Sequence, residues 1–178
     1  MSIRIHTDNL EKSETLKAGD SVLFSGVVYT ARDAAHKRID ELLNKNEKLP
    51  FDLKGAVIYY AGPTPAKDNM VIGSCGPTTS SRMDIYTPKF IEKGLKAMIG
   101  KGERSQEVID ACKKYRCVYF CAIGGAGALA ASCIKANEVI AFSDLGCESV
   151  KKLYVEDFPL IVGIDAKGGN IFKLRVDS

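Results

Sequence analysis

The chain has 178 residues, 46% of them apolar and 26% charged. That is the make-up of one folded domain spanning 1–178, and it excludes disorder, collagen or coiled coil as whole-chain descriptions. The 25 Lys and Arg against 22 Asp and Glu leave a charge of +3, too balanced for a chain that mainly neutralises nucleic acid, yet compatible with a local cationic pocket.

In chain order, Ser21–Tyr29 (SVLFSGVVY) is a β-branched, apolar run and predicts a strand. Thr30 then reads as a helix N-cap with Asp33 three residues on, opening a helix to about Lys48. Its apolar face is Ala35, Ile39, Leu42 and Leu43, and Pro50 closes it. Gly55–Tyr60 predicts a second, buried strand, ended by Gly62-Pro63-Thr64-Pro65. Val71–Gly73 suggests a short strand, and Cys75–Ser81 a polar loop entering a short helix over Arg82–Tyr86. Pro88 starts a helix over Lys89–Lys93 that Gly94 ends.

Further on, Ala97–Ile99 reads as a strand, Glu103–Tyr115 as a helix and Cys117–Ile123 as a strand. A glycine loop follows, then an alanine-rich helix to about Ala136 and a strand over Glu138–Phe142. Glu148–Tyr154 reads as a short helix, and Leu160–Ile164 with Asn170–Leu174 as a hairpin about Lys167-Gly168-Gly169. The alternation makes the class α/β with mixed strand directions. The start, MSIRIHTDNL, lacks the apolar core of a secretory signal, and no run has the length of a membrane span. A cytoplasmic location is expected, where thiols stay reduced.

Four features bear on chemistry. Cys112, Cys117 and Cys121 are spaced like a truncated iron–sulfur run, but helix and strand carry them where a chelating loop would be needed. With no C-x2-C pair, buried structural cysteine is the favoured reading; Cys75, in its polar loop, is the exception. Gly125–Ala130 matches G-x-G-x-x-A between strand and helix, with Asp144 at a suitable distance; too little chain follows for a two-half dinucleotide fold. Third, Thr30–Arg38 (TARDAAHKR) puts Arg32 at a helix start, where the dipole disfavours a cation and an anion is welcome, with His36 four residues on. Fourth, Gly76–Asp84 (GPTTSSRMD) lines up four hydroxyls between a Gly-Pro turn and the donor fork of Arg82, as an anionic small-molecule site needs. Lys101, between Gly100 and Gly102 at a strand end, adds a possible cation.

Together TARDAAHKR, GPTTSSRMD and IGKG, with GGAGALAA and VEDFPLIVGIDAKGGN, resemble the β subunit of class I fumarate hydratase and of L(+)-tartrate dehydratase over nearly the whole chain. The resemblance implies a swivelling β/β/α domain with a mixed sheet and flanking helices. It implies a hydro-lyase interconverting fumarate and L-malate, with tartrate dehydration as the alternative. It also implies a [4Fe–4S] cluster whose open iron acts as a Lewis acid and whose thiols belong to a partner α subunit, with two of each subunit per complex. By the same resemblance Thr78 is the catalytic base and Lys101 a catalytic cation, Arg32 and Arg82 bind substrate carboxylates, and Gly76 offers a backbone contact. Two arginine forks suit a dicarboxylate. A threonine hydroxyl needs a nearby cation and a proton acceptor, and the acceptor is expected from the partner.

Overall fold

The structure, a computed structural model, describes residues 1–122 and 127–173. The strands are β1 (Ile3–His6), β2 (Ser21–Thr30), β3 (Val57–Tyr59), β4 (Ala97–Gly100), β5 (Val118–Cys121), β6 (Ile134–Ala141) and β7 (Val150–Ile164). The helices are α1 (Asp33–Asn44), α2 (Thr87–Glu92), α3 (Gln106–Tyr115) and α4 (Gly127–Cys133), with 3₁₀ turns at Thr7–Thr15, Ser80–Met83 and Ser143–Glu148. β1 to β5 pair in parallel as neighbours in chain order, while β7 runs antiparallel to β2, β5 and β6. Because β7 joins β5 back to β2, the sheet closes on itself and leaves β1 and β6 outside the ring. This is the mixed-sheet α/β architecture with flanking helices that the resemblance implies.

Every residue of β3 and β4 is buried, which is why both read as unbroken apolar runs. The pleat sorts their side chains onto two faces. Val57, Tyr59, Ala97 and Ile99 join Phe24, Phe120, Leu153 and Val162 in one cluster. Ile58, Tyr60 and Met98 join Ala35, Ile39, Phe90, Val108 and Cys112 from α1, α2 and α3 in the other.

Several expectations give way to tertiary context. Thr30 is the last residue of β2 and caps no helix: its hydroxyl donates to the Ser149 carbonyl (3.3 Å) and accepts the Lys151 N–H (3.1 Å). Arg32 holds the N-cap position without a side-chain capping bond. The Ala34 N–H is met by Glu148 Oε1 at 3.4 Å. α1 stops at Asn44 because Asn46 turns left-handed and the Asn46 and Glu47 N–H groups close back on Leu43 and Leu42.

Of the segment read as a helix over Glu148–Tyr154, Glu148 ends a 3₁₀ turn and Val150–Tyr154 begins β7: β2 and β6 lie on its two edges and supply a ladder that outweighs an accidental helical spacing. Leu160–Ile164 belongs to the same strand. Pro159 is tolerated near the register shift at Phe24/Gly26. The expected hairpin reduces to one antiparallel bridge, Ile164 to Asn170; Leu174 lies outside the described residues. Val71–Gly73 forms no strand, and the turn before α2 is 3₁₀ over Ser80–Met83. α4 ends at Cys133, and the rest of that expected helix is strand β6, paired antiparallel to β7. β1 and the 3₁₀ turn after it were not anticipated.

Candidate active site

The parallel strands β2 to β5 all end on one edge of the sheet, where α/β folds hold their ligands. The ladder runs past the strand ends: Ala31 N–H donates to the Tyr59 carbonyl (3.1 Å), Tyr60 N–H to Ile99 (2.9 Å) and Ala122 N–H to Gly100 (2.8 Å). The chain leaving β2 carries Arg32, and the chain leaving β4 carries Lys101. The chain leaving β3 passes Gly62, where a Cβ would stand 2.6 Å from Arg32 Nη1; the absent side chain is the space the guanidinium fills.

The loop read as an anion site folds onto the same edge. Thr78 N–H donates to the Tyr60 carbonyl at 2.8 Å, tying the loop to the end of β3. Thr79 bridges to Lys101, and Ser80 N–H donates to the Lys101 carbonyl at 3.0 Å. The four hydroxyls therefore divide. Thr78 is half-buried beside Arg82, Ser80 is wholly buried, and Thr79 and Ser81 face solvent.

Arg82, one turn after Thr78, donates to Thr78 Oγ1 through Nη2, and its Nε stands 3.2 Å from Asp33 Oδ1. A guanidinium donating to a hydroxyl oxygen favours the alkoxide over the neutral alcohol. Arg32 Nε lies 3.8 Å from Glu148 Oε1 and is buried with no hydrogen-bond partner among the described residues. Each arginine is thus flanked by a carboxylate of its own chain. Sequence alone signals neither partner: Asp33 reads only as the capping-box companion of Thr30, and Glu148, more than a hundred residues from Arg32, carries no signal at all.

His36 is buried, as its helix-face position beside Arg32 allows. Its ring accepts nothing from the Arg32 carbonyl 2.9 Å away, because a carbonyl has no proton, so Nδ1 carries the hydrogen and donates it. Nε2 has no partner among the described residues, and Tyr60, Tyr86 and Phe90 surround the ring. Burial, opposed by the Arg32 carbonyl, lowers the imidazole to about 4. The ring stays neutral and fixes the backbone from which Arg32 extends.

Cys75 departs from its expected exposure. It is fully buried, Tyr59 donates to its carbonyl at 2.5 Å, and burial pushes its thiol up to about 12. The loop is polar in sequence but lies under the start of α4: Cys75 N–H donates to the Gly127 carbonyl (3.1 Å), and Gly76 packs against Gly127. Cys112, Cys117 and Cys133 are buried as expected, Cys121 partly so, and Cys147 is exposed, against that expectation. All six are free.

Of the G-x-G-x-x-A motif, Gly125 and Ala126 lie outside the described residues. Its remaining residues open α4, which leads into a strand antiparallel to its neighbour, where a dinucleotide unit needs a parallel return. Asp144 is engaged in a fork with Arg38. Among the described residues no three His, Cys, Asp or Glu side chains cluster to hold a metal ion, so they do not fit an iron–sulfur cluster. No helix among them is long and apolar enough to cross a membrane.

The family described as "Fumarase C-terminus" matches residues 1–175. The chain belongs to this family. It is similar to the "Putative L(+)-tartrate dehydratase subunit beta" of Methanocaldococcus jannaschii, 44% identical over 89% of this chain and 84% of that protein. Fumarate hydratase 2 of Leishmania major is 42% identical over 86% of this chain, and the aerobic class I fumarate hydratase of Escherichia coli K12 is 41% identical over 84%. The chain spans only 28% of the length of either fumarate hydratase.

Proposed function

We propose that this chain is the β subunit of a hydro-lyase that interconverts fumarate and L-malate at a site completed by a cluster-bearing α subunit. The observation that carries the reading is the contact of Arg82 with Thr78, on a strand-end edge that Arg32 and Lys101 also leave. It is supported by the family match and the length relation: the Leishmania major and Escherichia coli fumarate hydratases match this chain over 28% of their own, longer chains.

In this reading Arg32 and Arg82 each take one substrate carboxylate in a two-pronged bond. Thr78 then removes the proton from the carbon of L-malate, and returns it when fumarate is hydrated. The Arg82 hydrogen bond and the charge of Lys101 offset the weak acidity of an alcohol. Thr78 must pass its proton on, and the partner subunit supplies the acceptor and the groups that face the departing hydroxyl. The [4Fe–4S] cluster is the partner's in this reading, with two copies of each subunit in the complex. The pocket so formed takes a small dicarboxylate, not a nucleic acid or a membrane surface, and the complex works in the cytoplasm.

A second reading, the β subunit of an L(+)-tartrate dehydratase, is favoured by one observation: the similar protein of that name matches this chain along most of both lengths. One experiment separates the two. The chain is co-expressed with its α subunit, purified without oxygen, and assayed with fumarate, L-malate and L(+)-tartrate side by side. Turnover of fumarate and malate, lost in Thr78→Ala with the complex still assembled, supports the first reading. Turnover of tartrate alone selects the second. No turnover of any of the three by a complex with intact cluster overturns both.

A further inference from the structure

The two segments that carry Lys101 and the Thr78–Arg82 pair are joined beneath the site by groups that neither reading assigns. Ser80 is wholly buried, and its Oγ accepts the Lys101 N–H at 3.0 Å. The approach is possible because residue 100 is glycine: a Cβ there would stand 1.9 Å from Ser80 Oγ. Ser80 Oγ also hydrogen-bonds the Tyr119 hydroxyl at 2.9 Å, and that hydroxyl bonds the Gly102 carbonyl at 2.9 Å. One phenol on β5 therefore grips the chain on both sides of Lys101, through Ser80 before it and directly after it.

Tyr119 is held in turn by Arg104, whose guanidinium carbon lies 4.7 Å from its ring centroid and 5.1 Å from that of Tyr60. The Arg104 side chain is fully buried. It donates to Asp84 Oδ1 (2.6 Å), to the Tyr60 hydroxyl (3.1 Å) and to Thr87 Oγ1 (3.0 Å). The other oxygen of Asp84 accepts the Ser105 N–H at 2.7 Å. The Tyr60 carbonyl holds Thr78, and Asp84 follows Arg82 by two residues, so Arg104 fastens both ends of the segment that bears Thr78 and Arg82. A buried ion pair contributes little net stability compared with apolar packing. What it does contribute is a single geometry, since the Nε and Nη2 hydrogens of Arg104 each have a specified oxygen acceptor.

We propose that Ser80, Tyr119 and Arg104 form a buried clamp that positions Lys101 against Thr78 and Arg82 for the reaction. The proposal rests on the hydro-lyase reading. None of the three touches the reacting atoms; they are positioning residues.

The test uses Tyr119→Phe, Ser80→Ala and the double variant in the assembled, cluster-loaded complex. Tyr119→Phe keeps the ring under Arg104 and removes only the hydroxyl. Each single variant is expected to lower kcat by about 10- to 100-fold, the scale of a misplacement near 1 Å, with KM changed less than about threefold. Because the groups act through one chain of bonds, the double variant should be no slower than the slower single. Ser13→Ala is the control. It removes another buried hydroxyl bond, to the Leu10 carbonyl at 2.6 Å, and should lower the melting temperature without changing kcat. Hydrogen exchange of the Lys101 amide reads the clamp without turnover, and Ser80→Ala should accelerate it. Wild-type kcat in both folded single variants, or multiplicative losses in the double, would overturn the proposal. If the wild-type complex turns over no dicarboxylate, the hydro-lyase reading fails on its own, and an unchanged Lys101 exchange rate would then sink the clamp as well.

Discussion

His36 offers a sharp test of the packing behind Arg32. Its Nδ1–H already serves the Arg32 carbonyl, so a second proton must go to Nε2, which faces Tyr60, Tyr86 and Phe90 with no acceptor among the described residues. Burial is the main reason the imidazole falls to about 4; the Arg104 charge adds to it, and the Arg32 carbonyl and Asp33 oppose it. An unfolded histidine titrates near 6.5. Between pH 6.5 and 4 the unfolded chain therefore holds a proton that the folded chain does not. Stability from this group is fully present above pH 6.5 and is lost as pH falls toward 4. The full difference is roughly 3 kcal/mol, of which about 2 kcal/mol disappears between pH 7 and pH 5.

Glu14, Asp144 and Asp165 have lowered values, through Lys96, Arg38 and backbone N–H groups respectively. Their contribution is present above the ordinary carboxylate range and falls away below pH 5, outside the chosen window. Urea unfolding of the chain at pH 7 and pH 5 measures the effect, with His36→Gln as the comparison. The glutamine variant should be less stable at pH 7 yet lose much less between the two values. Equal wild-type stability at pH 7 and pH 5, or an unchanged slope in His36→Gln, would refute the reasoning.

Three further outcomes are expected. Gly62→Ala places a methyl 2.6 Å from Arg32 Nη1; the flexible guanidinium moves instead of the fold, so steady-state kinetics of the complex should show KM raised about tenfold or more, with melting almost unchanged. Arg82→Met removes a carboxylate fork and the donor to Thr78, so kcat and affinity should both fall, by at least about 100-fold in kcat/KM; wild-type values would make Arg82 structural. In a native thiol titration Cys147 should react fast and Cys75, Cys112, Cys117 and Cys133 only on unfolding; equal rates for the buried four would contradict their packing.

Much of this protein is local and was legible as such. β2, β3 and β4 read as strands because β-branched and apolar runs bounded by glycine and proline have few alternatives. α3 reads as a helix because Val108, Ile109 and Cys112 make one face apolar, but its start at Gln106 and not Glu103 is set by Ser105, whose side chain accepts the Val108 N–H. The chemistry-bearing residues were visible as types out of place: an arginine at a helix start, four hydroxyls before another arginine, a lysine between two glycines. The resemblance assigned them roles.

Tertiary structure decided what depends on distant partners. Val150–Tyr154 has helical spacing, but two strands flank it, and backbone groups that can complete a ladder on both edges outweigh local spacing. Thr30 looked like a cap until Ser149 and Lys151, far along the chain, took its hydroxyl. Cys75 sits in a polar loop and is nevertheless buried, because the start of α4 lies over it. Asp33, Glu148 and the Arg104 clamp are seen only once the strand ends meet. A sequence records which side chains exist and how they alternate. Which carboxylate faces which arginine depends on the closing of the sheet, because an ion pair is defined by a distance of a few ångströms and not by a separation along the chain.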